Sequence, residues 1–103
     1  MATAVETTFH GITLTEYDDL LRRLEFRPGG ASEPGCLFHF ATPTEDGFRG
    51  IDVWESTEAF DRFVRERLGP VLEHLGIASP EVRVTEVHNY LIASPDRRGG
   101  PVR

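Results

Sequence analysis

Phe48-Arg-Gly-Ile-Asp-Val-Trp-Glu-Ser-Thr-Glu-Ala-Phe-Asp-Arg-Phe63 is the stretch on which the fold turns. Its first half has a period of two. Ile51 and Val53 point one way, and Phe48, Asp52 and Trp54 the other, which predicts a strand over 48–55. Ser56 then stands where a helix N-cap belongs, because its hydroxyl can accept from a backbone N–H of the first turn. Glu58 follows in that turn, where the helix dipole favours negative charge. Phe60, Phe63, Val64 and Leu68 form an apolar stripe at helical spacing. Gly69-Pro70 is expected to interrupt this helix, with Val71, Leu72 and Leu75 making a short further piece that ends at Gly76.

Upstream, Asp46-Gly47 is a strong hairpin signal, so Cys36–Thr42 is expected to run antiparallel to 48–55. Residues 27–35 hold three Gly and two Pro in nine positions and read as a loop. Before them, Leu14, Tyr17, Leu20, Leu21 and Leu24 fall on one helical face and Asp18, Asp19, Arg22 and Arg23 on the other. Thr13 and Glu16 have the spacing of a capping box at its start. Residues 2–9 are rich in β-branched side chains and predict the first strand. Downstream, Glu81–Ile92 reads as a last strand. The order β-α-β-β-α-β in one small chain predicts an α+β, ferredoxin-like sandwich: a four-stranded antiparallel sheet with two helices on one face. One domain is expected over 1–93, with a disordered Pro/Gly/Arg tail at 94–103.

Composition narrows the function classes. The chain has 103 residues, 11 Arg without a single Lys, and 17 acidic residues, for a formal charge of −6. Nucleic-acid backbones need clustered positive charge, so no nucleic-acid partner is expected. No apolar run reaches the ~20 residues of a membrane span, and no secretory pattern opens the chain, so no membrane partner is expected. One Cys rules out an internal disulfide framework and fits a reducing, cytoplasmic setting. Without Lys, Schiff-base chemistry is excluded. Metal-ligand spacings, Gly-rich phosphate loops and nucleophile elbows are missing, so neither metal nor cofactor is expected.

The strands carry two further signals. First, both sheet faces are partly apolar. Cys36, Phe38 and Phe40 are expected on one face of the second strand, with Leu37 and Ala41 flanking His39 on the other. The last strand is expected to split Val82, Val84 and Tyr90 from Val87 and Leu91. Two helices cover only one face, so a second copy is the expected cover and a homodimer the expected state. Second, His39, Asp52, Trp54, Glu86, His88 and Tyr90 are polar groups set mid-strand among apolar neighbours, where burial demands a partner. Asp52 and His88 are the natural pair, since an acid orients and charges an imidazole. His10 at a strand end and His74 on a helix are weaker candidates. Tyr17 reads as core, Cys36 as a structural thiol, and Arg62, Arg65 and Arg67 as a solvated helix face.

The 48–63 stretch, with Gly35-Cys-Leu-Phe-His-Phe-Ala41, Glu66-Arg-Leu-Gly-Pro70 and Val87-His-Asn-Tyr-Leu91, resembles the dimeric α/β-barrel superfamily, and within it a small actinobacterial group. The resemblance spans residues 2–92. It implies two sheets packed into a barrel and a ligand cleft between each sheet and its helices. The superfamily includes cofactor-independent antibiotic-biosynthesis monooxygenases, polyketide cyclases, isomerases and haem-degrading enzymes. The haem-degrading pattern fits poorly: the first strand has no Asn, and Phe63 and Val64 stand where a haem-ligating His belongs.

The resemblance and the residues together lead to an expected function. It is a cofactor-independent enzyme of secondary metabolism on a small hydrophobic, polyketide-like or aromatic metabolite, acting by proton abstraction and cyclisation or isomerisation. His88 or His39 would be the base, Asp52 its orienter and Tyr90 the donor to the enolate oxygen. Trp54, Phe38, Phe40 and Glu86 would line the pocket. The alternatives are a cofactor-free monooxygenase in the same pocket and a non-catalytic ligand-binding or structural dimer. A pocket lined by none of Asp52, His39 and His88 would remove the enzymatic readings.

Overall fold

A computed structural model describes residues 1–30 and 32–92. The elements are β1 (Thr3–His10), α1 (Leu14–Arg23), β2 (Cys36–Pro43), β3 (Gly47–Trp54), α2 (Thr57–Phe63), α3 (Gly69–Leu75) and β4 (Glu81–Glu86). The four strands form one antiparallel sheet in the order β2-β3-β1-β4. This is the expected ferredoxin-like arrangement. The expected tail at 94–103 lies outside the described residues. No helix among the described residues is long and apolar enough to cross a membrane.

The caps form as their residues demand. Thr13 Oγ1 accepts from the Glu16 N–H, and the Glu16 carboxylate accepts from the Thr13 N–H, closing the capping box. Ser56 Oγ accepts from the Ala59 N–H at 3.1 Å. Strand alternation then delivers a core. Thr3, Val5, Thr7 and Phe9 of β1 and Phe48, Gly50, Asp52 and Trp54 of β3 are all buried on the helix side. Leu20 and Leu24 come down from the first helix, and Phe60, Phe63, Leu68 and Leu72 from the second helical run. Each fully buried large side chain contributes roughly 1.5–3 kcal/mol of transfer free energy.

Three expectations need correction. The helix does not break at Gly69-Pro70. Instead α2 runs into α3 through a π turn at Val64–Leu68. Pro70 has no N–H, and its ring would strike the carbonyl four residues back in a regular α-helix. The wider turn accommodates it: Gly69 N–H donates to the Val64 carbonyl, five residues back. A Cβ on Gly69 would lie 2.7 Å from that oxygen, so the turn needs glycine for space. α3 then ends as expected at Gly76, in the left-handed region at φ 69°, with Ile77 N–H closing on Leu72 O.

The second correction concerns β2. A register irregularity between Cys36 and Phe38 puts Cys36 opposite Trp54, so Cys36 joins His39 and Ala41 on the helix side. Phe38 and Phe40, opposite Val53 and Ile51, stand on the open face and are 44% and 45% exposed. The third correction shortens β4. Glu86 lies opposite Thr3, and Val87 N–H reaches Ala2 O at 3.0 Å. β1 begins at Thr3, and residues 87–92 lie beyond the ladder in irregular structure. The expected alternation of Tyr90 with Leu91 therefore does not exist. Val82 and Val84 are about half exposed, because the helices do not reach over this edge strand.

Candidate functional site

A cleft of about 540 Å³ opens between α1, the loop after it, β2, β3 and the α2 run. Its walls are aromatic. Phe9 and Phe48 stack with centroids 4.6 Å apart, and Tyr17 packs on Phe48 at 4.5 Å. Trp54, 1% exposed, meets Phe60 and Phe63 at 5.7 and 5.3 Å.

One polar line crosses this apolar chamber. Asp52 sits on the helix face of β3 and is 9% exposed. Trp54, two residues on, shares its face, and His39 is its cross-strand partner on β2. The geometry follows from these positions. Trp54 Nε1 donates to Asp52 Oδ2 at 3.1 Å, and Asp52 Oδ1 lies 2.5 Å from His39 Nδ1. A carboxylate only accepts, so Nδ1 carries the hydrogen of neutral His39 and Nε2 is left as an acceptor. The Tyr17 hydroxyl, arriving from α1, donates to that Nε2 at 2.9 Å. The sheet floor is kept clear at Gly50. A Cβ there would lie 2.9 Å from Thr7 Oγ1 and 3.4 Å from His39 Cε1.

Burial sets the protonation of two neighbours. It pushes the Tyr17 phenol above its ordinary range, with the charges of Asp52 and Asp18 adding to the effect, so Tyr17 remains an O–H donor at neutral pH. Burial, then the Asp52 charge, likewise raises the Cys36 thiol. Cys36 stays protonated and lies near Phe38 O at 3.4 Å.

The loop after α1 forms one lip of the cleft. It is strapped down by Arg67, which sits on the π turn. Arg67 Nη2 donates to Leu24 O at 2.6 Å, its Nε lies 3.1 Å from Glu33 Oε1, and its guanidinium stands 5.8 Å from the Phe26 ring centroid. The expected solvated role of Arg67 is therefore wrong, because the wide turn aims it inward onto the loop.

Of the sequence candidates, His39, Asp52 and Trp54 converge, and Phe38 and Phe40 border the cleft at the sheet edge. His88 and Tyr90 do not join them. They follow the end of β4, are exposed, and do not line the cleft. Asp52 accordingly pairs with His39 and not with His88, because β2, not the chain beyond β4, neighbours β3. Glu86 is also outside: it borders a separate recess with Met1, Thr3, Ser56 and Thr57. Tyr17 and Arg67 were missed. A hydroxyl on an otherwise apolar helix stripe needs a buried partner, and that is the one sequence signal that pointed to Tyr17. His10 lies at another end of the sheet, held by Asp46 and Glu81.

Comparison with known proteins agrees with this architecture. No protein-family model matches the chain, and no curated protein matches it. Solved structures do. A candidate antibiotic biosynthesis monooxygenase from Chloroflexus aurantiacus J-10-fl superposes with a TM-score of 0.59 at 21% identity, covering 89% of this chain and 99% of the other. SnoaB, a cofactor-independent oxygenase from Streptomyces nogalater, gives 0.59 at 19% identity, covering 87% and 95%. A further candidate monooxygenase of the same kind, from Deinococcus radiodurans, gives 0.58 at 16%, covering 91% and 99%. The chain thus has the ferredoxin-like fold found in antibiotic biosynthesis monooxygenase-like structures.

Proposed function

We propose that the cleft is the active site of a cofactor-independent enzyme that deprotonates a small apolar metabolite of polyketide-like or aromatic type. The observation that carries this reading is the Asp52–His39 couple inside an aromatic chamber of about 540 Å³. Asp52 holds the imidazole in the tautomer whose Nε2 can take a proton, and it stabilises the imidazolium that results. Asp52, 9% exposed beside Trp54, lies where the surrounding rings strengthen its attraction for that imidazolium.

The carbanion or enolate so formed has two fates. It can close a ring or shift a double bond, the proton returning from Nε2 to another atom of the product. Alternatively, the carbanion carbon can bond to dioxygen, the peroxide can take the proton, and loss of water can leave a carbonyl. The names of the similar solved structures, SnoaB among them, favour the second fate. We also infer that a second copy covers the open face bearing Phe38, Phe40, Ile51 and Val53, as the apolar character of that face demands.

The test combines an oxygen electrode with product chromatography on a panel of hydroxylated anthrones and linear polyketide mimics. Turnover with oxygen uptake supports oxygenation, and turnover without it supports cyclisation or isomerisation. In either case His39→Gln is expected to lose at least about a hundredfold, the usual worth of a positioned base. Turnover that survives His39→Gln would refute the reading. Light scattering tests the dimer: Phe38→Arg with Phe40→Arg is expected to halve the mass of the particle.

A further inference from the structure

Tyr17 is a polar group of the cleft that the proposed reaction leaves idle, and it is the one that touches His39 Nε2. Its hydroxyl occupies the acceptor position of His39 Nε2 at 2.9 Å, the same nitrogen that must take a proton from a ligand. Its ring is wedged against Phe48, so the hydroxyl is delivered by a fixed arm. Tyr17 comes from α1 and His39 from β2, so the contact bridges the two walls of the cleft.

We infer that Tyr17 is a second catalytic arm: when a ligand hydroxyl reaches His39, the Tyr17 O–H leaves Nε2 and donates to the ligand oxygen. The inference rests on the base role proposed for His39. The step balances simply. The ligand O–H bond breaks, an N–H bond forms at Nε2, and the electron pair stays on the ligand oxygen. That oxygen then lies between two donors, the imidazolium N–H and the phenol O–H. Asp52 holds the imidazolium from behind through Nδ1. Two donors converging on one developing oxyanion are what stabilise such a species.

The charges around the cleft specify how the ligand arrives. Arg67 pairs with Glu33 at the lip, and Asp18 and Asp52 line the cleft against Arg27, leaving one negative charge in excess. A ligand that is already an anion is repelled. A neutral, weakly acidic hydroxyl compound is not, and it ionises only once between His39 and Tyr17. The ligand class is therefore an uncharged phenol or enol.

Nitronaphthol, a bicyclic phenol whose anion is coloured, tests this in the full-length protein. Absorbance titration against pH gives the ionisation constant of the bound probe in wild type, Tyr17→Phe and His39→Gln. Tyr17→Phe keeps the ring that packs on Phe48. Wild type is expected to ionise the bound probe more readily than water does. Tyr17→Phe is expected to weaken that ionisation about tenfold, the worth of one hydrogen bond to a charged oxygen. His39→Gln is expected to abolish the gain. An unchanged ionisation constant in Tyr17→Phe, with or without altered affinity, would overturn the role of Tyr17 and leave the base reading standing. Failure of wild type to bind or ionise the probe, or a His39→Gln protein that ionises it as well, would overturn both.

Discussion

Replacing Asp52 by Asn is the sharpest test of how the cleft works. The substitution keeps the shape of a side chain that is 9% exposed and removes only its charge and one acceptor. In the native protein two donors converge on the carboxylate, Trp54 Nε1 and His39 Nδ1. An Asn offers one oxygen and one NH₂. Trp54 Nε1 can only donate, so it claims the oxygen and turns the NH₂ toward His39. Nδ1 must then become the acceptor, and the ring proton moves to Nε2. The imidazole no longer presents a free base to the cleft, and Tyr17 must reverse its hydrogen bond. Two charge-assisted bonds become neutral ones, a loss of about 1 kcal/mol each or about 2 kcal/mol together. For a domain of this size that lowers Tm by about 10 °C. Nitrogen-15 NMR of the ring reads the tautomer directly, with His39→Gln supplying the assignment among the four histidines of the chain. Proton abstraction is expected to fall in parallel. An Asp52→Asn protein whose His39 keeps its hydrogen on Nδ1, and whose Tm stays within about 2 °C of wild type, would refute the argument.

Other perturbations probe the frame around the site. Gly69→Ala would be stabilising by about 1 kcal/mol in an ordinary helix. Here its Cβ meets Val64 O at 2.7 Å, so thermal denaturation should show a loss of about 1–3 kcal/mol, and a gain would disprove the need for glycine at the π turn. Arg67→Met is expected to raise amide hydrogen exchange across residues 25–35 while β1 and β3 keep their protection; unchanged exchange would deny that Arg67 straps the loop. The hydrogen bond to Glu81, then that to Asp46 and its charge, raise the pKa of His10. A group whose folded pKa is raised stabilises the fold below its unfolded pKa, near about 6.5, and loses that contribution as pH rises through the folded value. Urea midpoints should therefore fall with rising pH more in wild type than in His10→Gln, and parallel curves would remove the effect.

The candidate site was legible only in part, and the reason lies in what each residue depends on. Asp52 and Trp54 are two apart on one strand, so their shared face follows from the pleat alone. His39 required the β2–β3 register, which an irregularity near Phe38 makes unreadable from periodicity. His88 and Tyr90 looked equivalent to His39 because their local sequence also alternates. Their exclusion depends on where β1 begins, some eighty residues earlier in the chain, since Thr3 of β1 pairs with Glu86 and residues beyond Val87 lie outside the ladder.

Local chemistry in the sequence determined the element order, both helix caps, the glycine stop at residue 76 and the apolar helix stripes, because each depends on neighbours within one or two turns. The α+β class follows from that order. Only the tertiary structure decided which imidazole meets Asp52, that Tyr17 closes the line across the cleft, and that Gly69-Pro70 widens a helix and does not end it. Those outcomes rest on strand register, on a helix laid over a sheet, and on the space left at one carbonyl. Such long-range geometry leaves no periodic trace in the sequence.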